Sequence, residues 1–95
     1  MIKLLLVDDE PLIREALLTL LDWESYGFQI VGEAYNGMEA LKIMAEKQVD
    51  IVLTDIKMPV MDGLELIQTA KEKNNTTVFV VLSAYDEFHL VSNAY

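Results

Sequence analysis

Short apolar runs alternate with segments of helical periodicity along most of the chain. Four of the runs read as strands: Ile2–Val7, Phe28–Ala34, 50–55 and 76–83. The first and last are apolar at nearly every position, which is typical of parallel strands covered on both faces. Phe28–Ala34 alternates only in part, so we expect it to lie nearer an edge of the sheet.

The segments between these runs predict helices. After Pro11, which suits a first helical turn, apolar residues recur every three or four positions to about Asp22. A second helix opens at Asn36, with Glu39 at the spacing of a capping box, and a third begins at Asp62. A fourth begins near residue 86. The expected buried positions are Met38, Leu41, Met44 and Ala45 in the second helix, and Leu64, Ile67 and Ala70 in the third.

The order of these elements, βαβαβαβα, predicts an α/β fold. Strands that alternate with helices form a parallel sheet with right-handed crossovers, and the helices cover both of its faces. The carboxyl ends of such strands line the ligand crevice.

The composition limits the classes of protein to which this chain can belong. Its 95 residues are enough for one small domain, and 53% are apolar, so a buried core is expected. It has no cysteine, which excludes disulfides and thiolate metal sites and fits a cytoplasmic location. No apolar stretch approaches the length of a membrane span, and the first residues lack signal-peptide character. The net charge of −9 argues against direct contact with nucleic acid.

Three carboxylates follow strands that are expected to be buried. Asp8 and Asp9 come after the first strand, and Asp55 ends the third. Two carboxylates roughly 4 Å apart repel by roughly 4 kcal/mol at an effective dielectric constant of about 20. A divalent cation would relieve that repulsion, and Mg²⁺ suits such hard oxygen ligands best. The cluster therefore suggests a metal site beside a reactive carboxylate.

Each of these residues has a functional and a structural interpretation. One of Asp8 and Asp9 could bind the cation directly while the other holds its water, or one could only cap the first helix. Asp55 could attack phosphorus and form an aspartyl phosphate, or simply start a turn. The loop from Met58 to Gly63 would bring the backbone carbonyl near Lys57 to the metal. The Ser83 hydroxyl could bind a phosphoryl oxygen, or cap the fourth helix.

Taken together, three segments resemble the receiver domain of two-component response regulators. They are LLLVDDEP (4–11), LTDIKMPVMDG (53–63) and VVLSAY (80–85). The resemblance implies a flavodoxin-like, CheY-like fold with strand order 2-1-3-4-5. It also implies phosphoryl transfer from a partner histidine kinase to Asp55, with Ser83 as the switch hydroxyl. Mg²⁺ would be bound by Asp9, Asp55 and the Lys57 carbonyl, and by Asp8 largely through water. Such a domain is a signalling phosphoacceptor that dephosphorylates itself slowly, and we do not expect a turnover enzyme.

Two further segments, LDWESYGF and SAYDEF, resemble regulators whose output is an AraC-type helix-turn-helix domain. The implied partners are therefore a histidine kinase and a DNA-binding output domain, and the implied process is regulation of transcription.

The chain also departs from the family pattern. It ends at Tyr95, inside the expected fourth helix, before the family's fifth strand, fifth helix and phosphoryl-contacting lysine. We therefore interpret residues 1–95 as an incomplete receiver domain. The fourth strand would then be an unpaired apolar edge, through which copies are expected to associate or swap elements.

Two other functions also fit parts of this pattern. The first is an interaction module that takes no phosphate because the domain is incomplete. The second is a phosphatase or phosphotransferase of the haloacid-dehalogenase type. That chemistry needs the pattern Asp-x-Asp after the first strand, whereas Asp8 and Asp9 are adjacent.

Overall fold

The computed structural model describes residues 1–73 and 76–82, and these form four strands, three α-helices and one short 3₁₀-helix. The predicted order is confirmed over this range, while the expected fourth helix lies outside the described residues. The elements are β1 (Ile2–Val7), α1 (Pro11–Leu20), the 3₁₀-helix (Trp23–Tyr26), β2 (Phe28–Ala34), α2 (Gly37–Glu46), β3 (Ile51–Asp55), α3 (Gly63–Lys73) and β4 (Val78–Leu82).

The four strands form one parallel sheet in the order β2-β1-β3-β4. This is the predicted flavodoxin-like order as far as β4, and β2 lies at an edge as expected. The chain moves to one side from β1 to β2 and then crosses back to β3. Right-handed crossovers therefore place α1 on one face and α2 and α3 on the other. Because β1 and β3 are neighbours, with Val7 paired to Thr54, their carboxyl ends lie side by side.

A register shift in the β1–β2 pair explains why β2 alternates only in part. Leu4 pairs with Ile30, but Leu5 pairs with Gly32, so one residue of β2 is left over. Such a bulge reverses the faces of every residue beyond it. Glu33 consequently pairs with Leu6 and lies on the α1 face, while Ala34 pairs with Val7 on the α2 and α3 face.

The main core lies between the sheet and helices α2 and α3. Its central side chains, Leu5, Val52 and Leu66, are fully buried. In α3 the prediction is correct for Ile67 and Ala70 but wrong for Leu64, which is 52% exposed. The sheet-facing stripe runs through residues 63, 66, 67 and 70, the ordinary helical spacing, and Leu64 falls beside it.

The predicted stripe of α2 is also partly wrong. Leu41 and Met44 pack against the core, but Met38 is 54% exposed and Ala45 is exposed as well. The buried residues of α2 are Gly37 and Ala40, whose small size lets the helix approach its neighbours closely. A pattern based on large apolar residues misses such a contact.

Helix α1 ends at Leu20, two residues before the predicted boundary, and has no buried residue. Trp23 covers its C-terminal end, where the indole donates to the Leu17 carbonyl at 2.9 Å. The Trp23 ring also meets Phe28 edge-on, with 6.1 Å between ring centroids.

At the other edge of the described sheet, the first and last residues of β4 carry exposed apolar side chains. Val78 is 55% exposed and Leu82 is 39% exposed. The described residues place no strand beyond β4.

Candidate metal and phosphoryl site

The three predicted carboxylates meet at the carboxyl edge of the sheet. One oxygen from each of Asp8, Asp9 and Asp55 lies within 4.8 Å of the others. Asp8 is buried, whereas Asp9 and Asp55 are half-buried, so the cluster opens to solvent on one side. The structure thus brings together the acids that the sequence singled out.

Backbone groups hold two of these carboxylates in place. The amide of Glu10 donates to Asp8 Oδ1 at 2.9 Å, and the amide of Ile56 donates to Asp55 Oδ1 at 2.7 Å. In both side chains the Oδ1 atom is held by the amide, and the Oδ2 atom does not share that bond. The Asp55 side chain is therefore oriented before any ligand arrives.

Burial raises the pKa of both Asp8 and Asp55 above the usual value of 3.8. Neighbouring charge adds to this effect, since Asp9 raises the pKa of Asp8, and Asp8, Asp9 and Glu10 all raise that of Asp55. The backbone amides lower both pKa values in part. The metal-free cluster is therefore an electrostatically unfavourable arrangement that a bound cation would relieve.

The loop from Ile56 to Asp62 is fastened next to Asp55. The amide of Gly63 donates to the Ile56 carbonyl at 2.7 Å. A Cβ atom on Gly63 would lie 3.1 Å from the carbonyl carbon of Asp55, and closer still to its carbonyl oxygen. Only glycine permits this approach of the start of α3 to the backbone of Asp55.

Two further contacts fix the same loop. The Gly37 amide at the start of α2 donates to the Met61 carbonyl at 3.0 Å. Asp62 caps α3 as predicted, because its Oδ1 accepts from the Glu65 amide at 2.8 Å, and Glu65 Oε1 accepts from the Asp62 amide at 3.3 Å. Within the loop, Val60 has a φ of 71°, an unfavourable left-handed conformation for a β-branched residue.

An open cleft of about 390 Å³ lies between this loop and Asp9, and it is lined by Asp9, Lys57, Met58, Pro59 and Asp62. A water molecule takes up about 30 Å³ in the liquid, so the cleft has room for a hydrated cation and a phosphoryl group. Lys57 and Asp9 thus line the same cleft. The Lys57 carbonyl as a metal ligand stays a prediction, and so does the switch role of Ser83, which lies outside the described residues.

Sequence reasoning missed one residue at this site. Arg14 donates from Nη1 to the backbone carbonyl of Asp8 and from Nε to Glu33 Oε1 at 3.1 Å. The available signal was its rarity, because Arg14 is the only arginine in the chain.

The capping box predicted at Asn36 and Glu39 is present in part: Asn36 Oδ1 accepts from the Glu39 amide at 2.9 Å, but Glu39 Oε1 accepts from the Tyr35 amide at 3.1 Å instead of the Asn36 amide. This interaction is structural.

The described residues contain no helix with the length and apolar character that crossing a membrane requires.

Comparison with known proteins agrees with this geometry. The family model of the response regulator receiver domain matches residues 4–95. The chain is 44% identical over 94 residues to the transcriptional regulatory protein YesN of Bacillus subtilis, covering 99% of this chain and 26% of that protein. It is 42% identical over 89 residues to the transcriptional regulatory protein YdfI of the same organism, covering 94% of this chain and 41% of that protein. The chain thus spans between about a quarter and two fifths of these relatives.

Solved structures give the same result. The receiver domain of AraT, a response regulator from Geobacillus stearothermophilus, superposes with a TM-score of 0.84 at 39% identity, over 97% of this chain and 71% of that one. The response regulator TrrA from Thermotoga maritima, in complex with Mg²⁺ and BeF, has a TM-score of 0.80 at 38% identity, over 99% of this chain and 81% of that one.

Proposed function

This chain belongs to the response regulator receiver domain family, and from that premise we propose that Asp55 accepts a phosphoryl group from a phosphohistidine of a partner kinase. The observation that carries the proposal is the meeting of Asp8, Asp9 and Asp55 within 4.8 Å at one sheet edge. The described structure fastens the Asp55 backbone through the adjoining loop, which suits a residue whose position must be maintained.

The donor set fits Mg²⁺, which prefers hard oxygen ligands and retains several waters. Asp9 and Asp55 would bind it directly, with the Lys57 backbone carbonyl, and Asp8 would act largely through water. When bound, the ion supplies positive charge that offsets the phosphoryl oxygens and lets one anion approach another. TrrA, a similar protein, has been solved with Mg²⁺ and BeF, which supports this assignment.

Asp55 would act as the nucleophile. The Ile56 amide donates to its Oδ1 at 2.7 Å and so holds the carboxylate in place, and a carboxylate oxygen of Asp55 attacks phosphorus. A phosphorus–oxygen bond forms at Asp55 as the phosphorus–nitrogen bond to the donor histidine breaks, and the histidine retains the electron pair. Ser83 would then bind a phosphoryl oxygen and transmit the change of state.

The wider role is transcriptional control through an output domain of AraC type in the parent protein. YesN and YdfI are transcriptional regulatory proteins, and solved relatives include an AraC-type two-component regulator from Clostridium phytofermentans. This domain would act in the cytoplasm without touching DNA, which agrees with its net charge of −9. It would serve as a signalling phosphoacceptor and dephosphorylate slowly by itself.

Phosphorylation can be tested with the purified protein, Mg²⁺ and acetyl phosphate, read by intact mass. We expect a gain of one phosphate that disappears in Asp55→Asn and when EDTA replaces Mg²⁺. Asp50→Asn is a matched control, since Asp50 lies at the opposite end of β3 and accepts from the Lys3 amide at 2.9 Å. No gain of mass in the wild type would contradict the proposal and favour the interaction module.

Association of copies through the outer edge of β4 stays a prediction. It is supported by the position of β4 at an edge of the described sheet, and by the exposed apolar side chains of Val78 and Leu82, at 55% and 39%. Sedimentation that shows a monomer at high protein concentration would contradict it.

A further inference from the structure

The single arginine of the chain lies beside the acidic cluster and forms no hydrogen bond or ion pair with the carboxylates of Asp8, Asp9 or Asp55. Arg14 donates to the main-chain carbonyl of Asp8 and to the carboxylate of Glu33, at 3.1 Å in the second case. We propose that Arg14 is a positioning residue, anchored by Glu33, that sets where the β1–α1 loop carries Asp8 and Asp9. The inference rests on the proposed function, in which this loop binds Mg²⁺.

The pair differs from an ordinary surface ion pair in its burial. The Arg14 side chain is only 16% exposed, against 43% for Glu33. The planar guanidinium group has donors that point in different directions, so one side chain can join two partners that are not in contact with each other. Arg14 uses this property to connect α1, the end of β1 and β2.

The bulge in β2 makes this connection possible. Because the register shifts after Leu4, Glu33 pairs with Leu6 and lies on the face that α1 covers. Without the shift Glu33 would pair with Val7 and lie on the opposite face, toward α2 and α3. The same irregularity that interrupts the alternation of β2 therefore delivers the anchor of Arg14.

The Asp8 backbone needs such an anchor because charge acts to displace it. Its amide donates to the Ala34 carbonyl at 3.0 Å, and its Oδ1 accepts from the Glu10 amide at 2.9 Å. The Asp8 carbonyl is bound by the Arg14 side chain. Without that bond the β1–α1 loop could shift and carry Asp8 and Asp9 away from Asp55, because the three carboxylates repel one another.

The direct test is the Mg²⁺ dissociation constant, measured by isothermal titration calorimetry. Arg14→Lys keeps the positive charge but loses the two-directional contact, and we expect it to weaken Mg²⁺ binding by about three- to tenfold. Glu33→Gln should weaken binding in the same direction but less. Arg14→Gln is less informative, because loss of a nearby positive charge by itself favours binding of a cation.

Lys47→Gln is the matched control. The Lys47 amine also joins a helix to β2, donating to the Val31 carbonyl at 2.8 Å, but it extends from the end of α2. The Mg²⁺ dissociation constant of Lys47→Gln should equal that of the wild type. A second readout needs no metal: hydrogen exchange at the Glu10 amide should accelerate in Arg14→Lys and stay unchanged in Lys47→Gln.

The outcomes separate this inference from the proposed function. If the wild type binds Mg²⁺ and Arg14→Lys binds it within twofold, Arg14 has only a structural role and the inference is overturned, even if stability falls. If the wild type binds no Mg²⁺, the proposed function fails and this inference fails with it.

Discussion

Neutralising Asp8 should stabilise the metal-free protein while removing its response to Mg²⁺. Asp8→Asn takes one charge out of the cluster but keeps the oxygen that accepts from the Glu10 amide at 2.9 Å. The backbone turn at the end of β1 is therefore retained. What changes is the repulsion that Asp8 exerts on Asp9 and Asp55.

The magnitude follows from the cluster's dimensions. At the observed limit of 4.8 Å, a pair of unit charges repels by about 3.5 kcal/mol at an effective dielectric constant of about 20, and by about 0.9 kcal/mol in water. Because Asp9 and Asp55 are half-buried, we take about 2 kcal/mol for each of the two pairs. Loss of the attraction between Asp8 and Arg14 offsets part of this gain, so a net stabilisation of about 2 kcal/mol is expected.

The assay is urea unfolding at neutral pH and low ionic strength, with EDTA or with saturating Mg²⁺. Ligand at a hundred times its dissociation constant stabilises a protein by about 2.7 kcal/mol, and we expect the wild type to gain on this order. Asp8→Asn should gain less than about 1 kcal/mol, since its site has lost one charge. The control Asp50→Asn removes the same charge outside the cluster and should keep the full Mg²⁺ response.

The reasoning would be refuted if Asp8→Asn were less stable than the wild type in EDTA and still gained fully from Mg²⁺. That result would mean that the cluster is not under electrostatic strain and that Asp8 has no part in binding the ion.

Three further predictions concern the same region. Gly63→Ala should destabilise the protein by about 3 kcal/mol and abolish phosphorylation, because its Cβ would press on the Asp55 backbone and disrupt the hydrogen bond from the Gly63 amide to the Ile56 carbonyl. The control is Gly32→Ala, whose Cβ would lie 3.4 Å from its nearest neighbour. It should change the free energy of unfolding, measured in urea, by less than about 1 kcal/mol. Val60→Asn should stabilise by about 1 kcal/mol, because Asn tolerates the φ of 71° and Val60 is 78% exposed; an equal or lower unfolding midpoint would contradict this. The raised pKa values of Asp8 and Asp55 mean that the folded metal-free protein holds protons that the unfolded chain has released. These bound protons stabilise the folded protein, and that stabilisation declines as pH rises from 3.8 toward the raised pKa values. On acidification Asp8 of the wild type becomes protonated, so the stability difference between Asp8→Asn and wild type should shrink.

Much of the fold could be predicted because its signals are local. Continuous apolar runs identified β1 and β4, and the alternation of strands and helices fixed a parallel sheet. The acids were found because their position after strands is visible in one dimension. The predicted caps at Asn36 and Asp62 were also correct, since a cap depends on residues three positions apart.

The rest depends on contacts between distant segments. The buried faces of α2 and α3 are set by close approach at Gly37 and Gly63, which a search for large apolar residues overlooks. The role of Arg14 requires knowing that β2 contains a bulge and that Glu33 therefore turns toward α1. Neither fact follows from spacing along the chain.

From the contact between Gly37 and Met61 we expect the site to be sensitive to oxidants. The Met61 side chain occupies the space that a Cβ on Gly37 would fill, with Cγ 2.6 Å and Sδ 2.8 Å from that position. Conversion of the thioether to a sulfoxide would add a polar oxygen where α2 and the loop meet with no spare room. We expect peroxide treatment to weaken Mg²⁺ binding and methionine sulfoxide reductase to restore it. Met61→Leu should lose less affinity for the ion on peroxide treatment than the wild type does, and Met58 in the cleft accounts for the remaining loss.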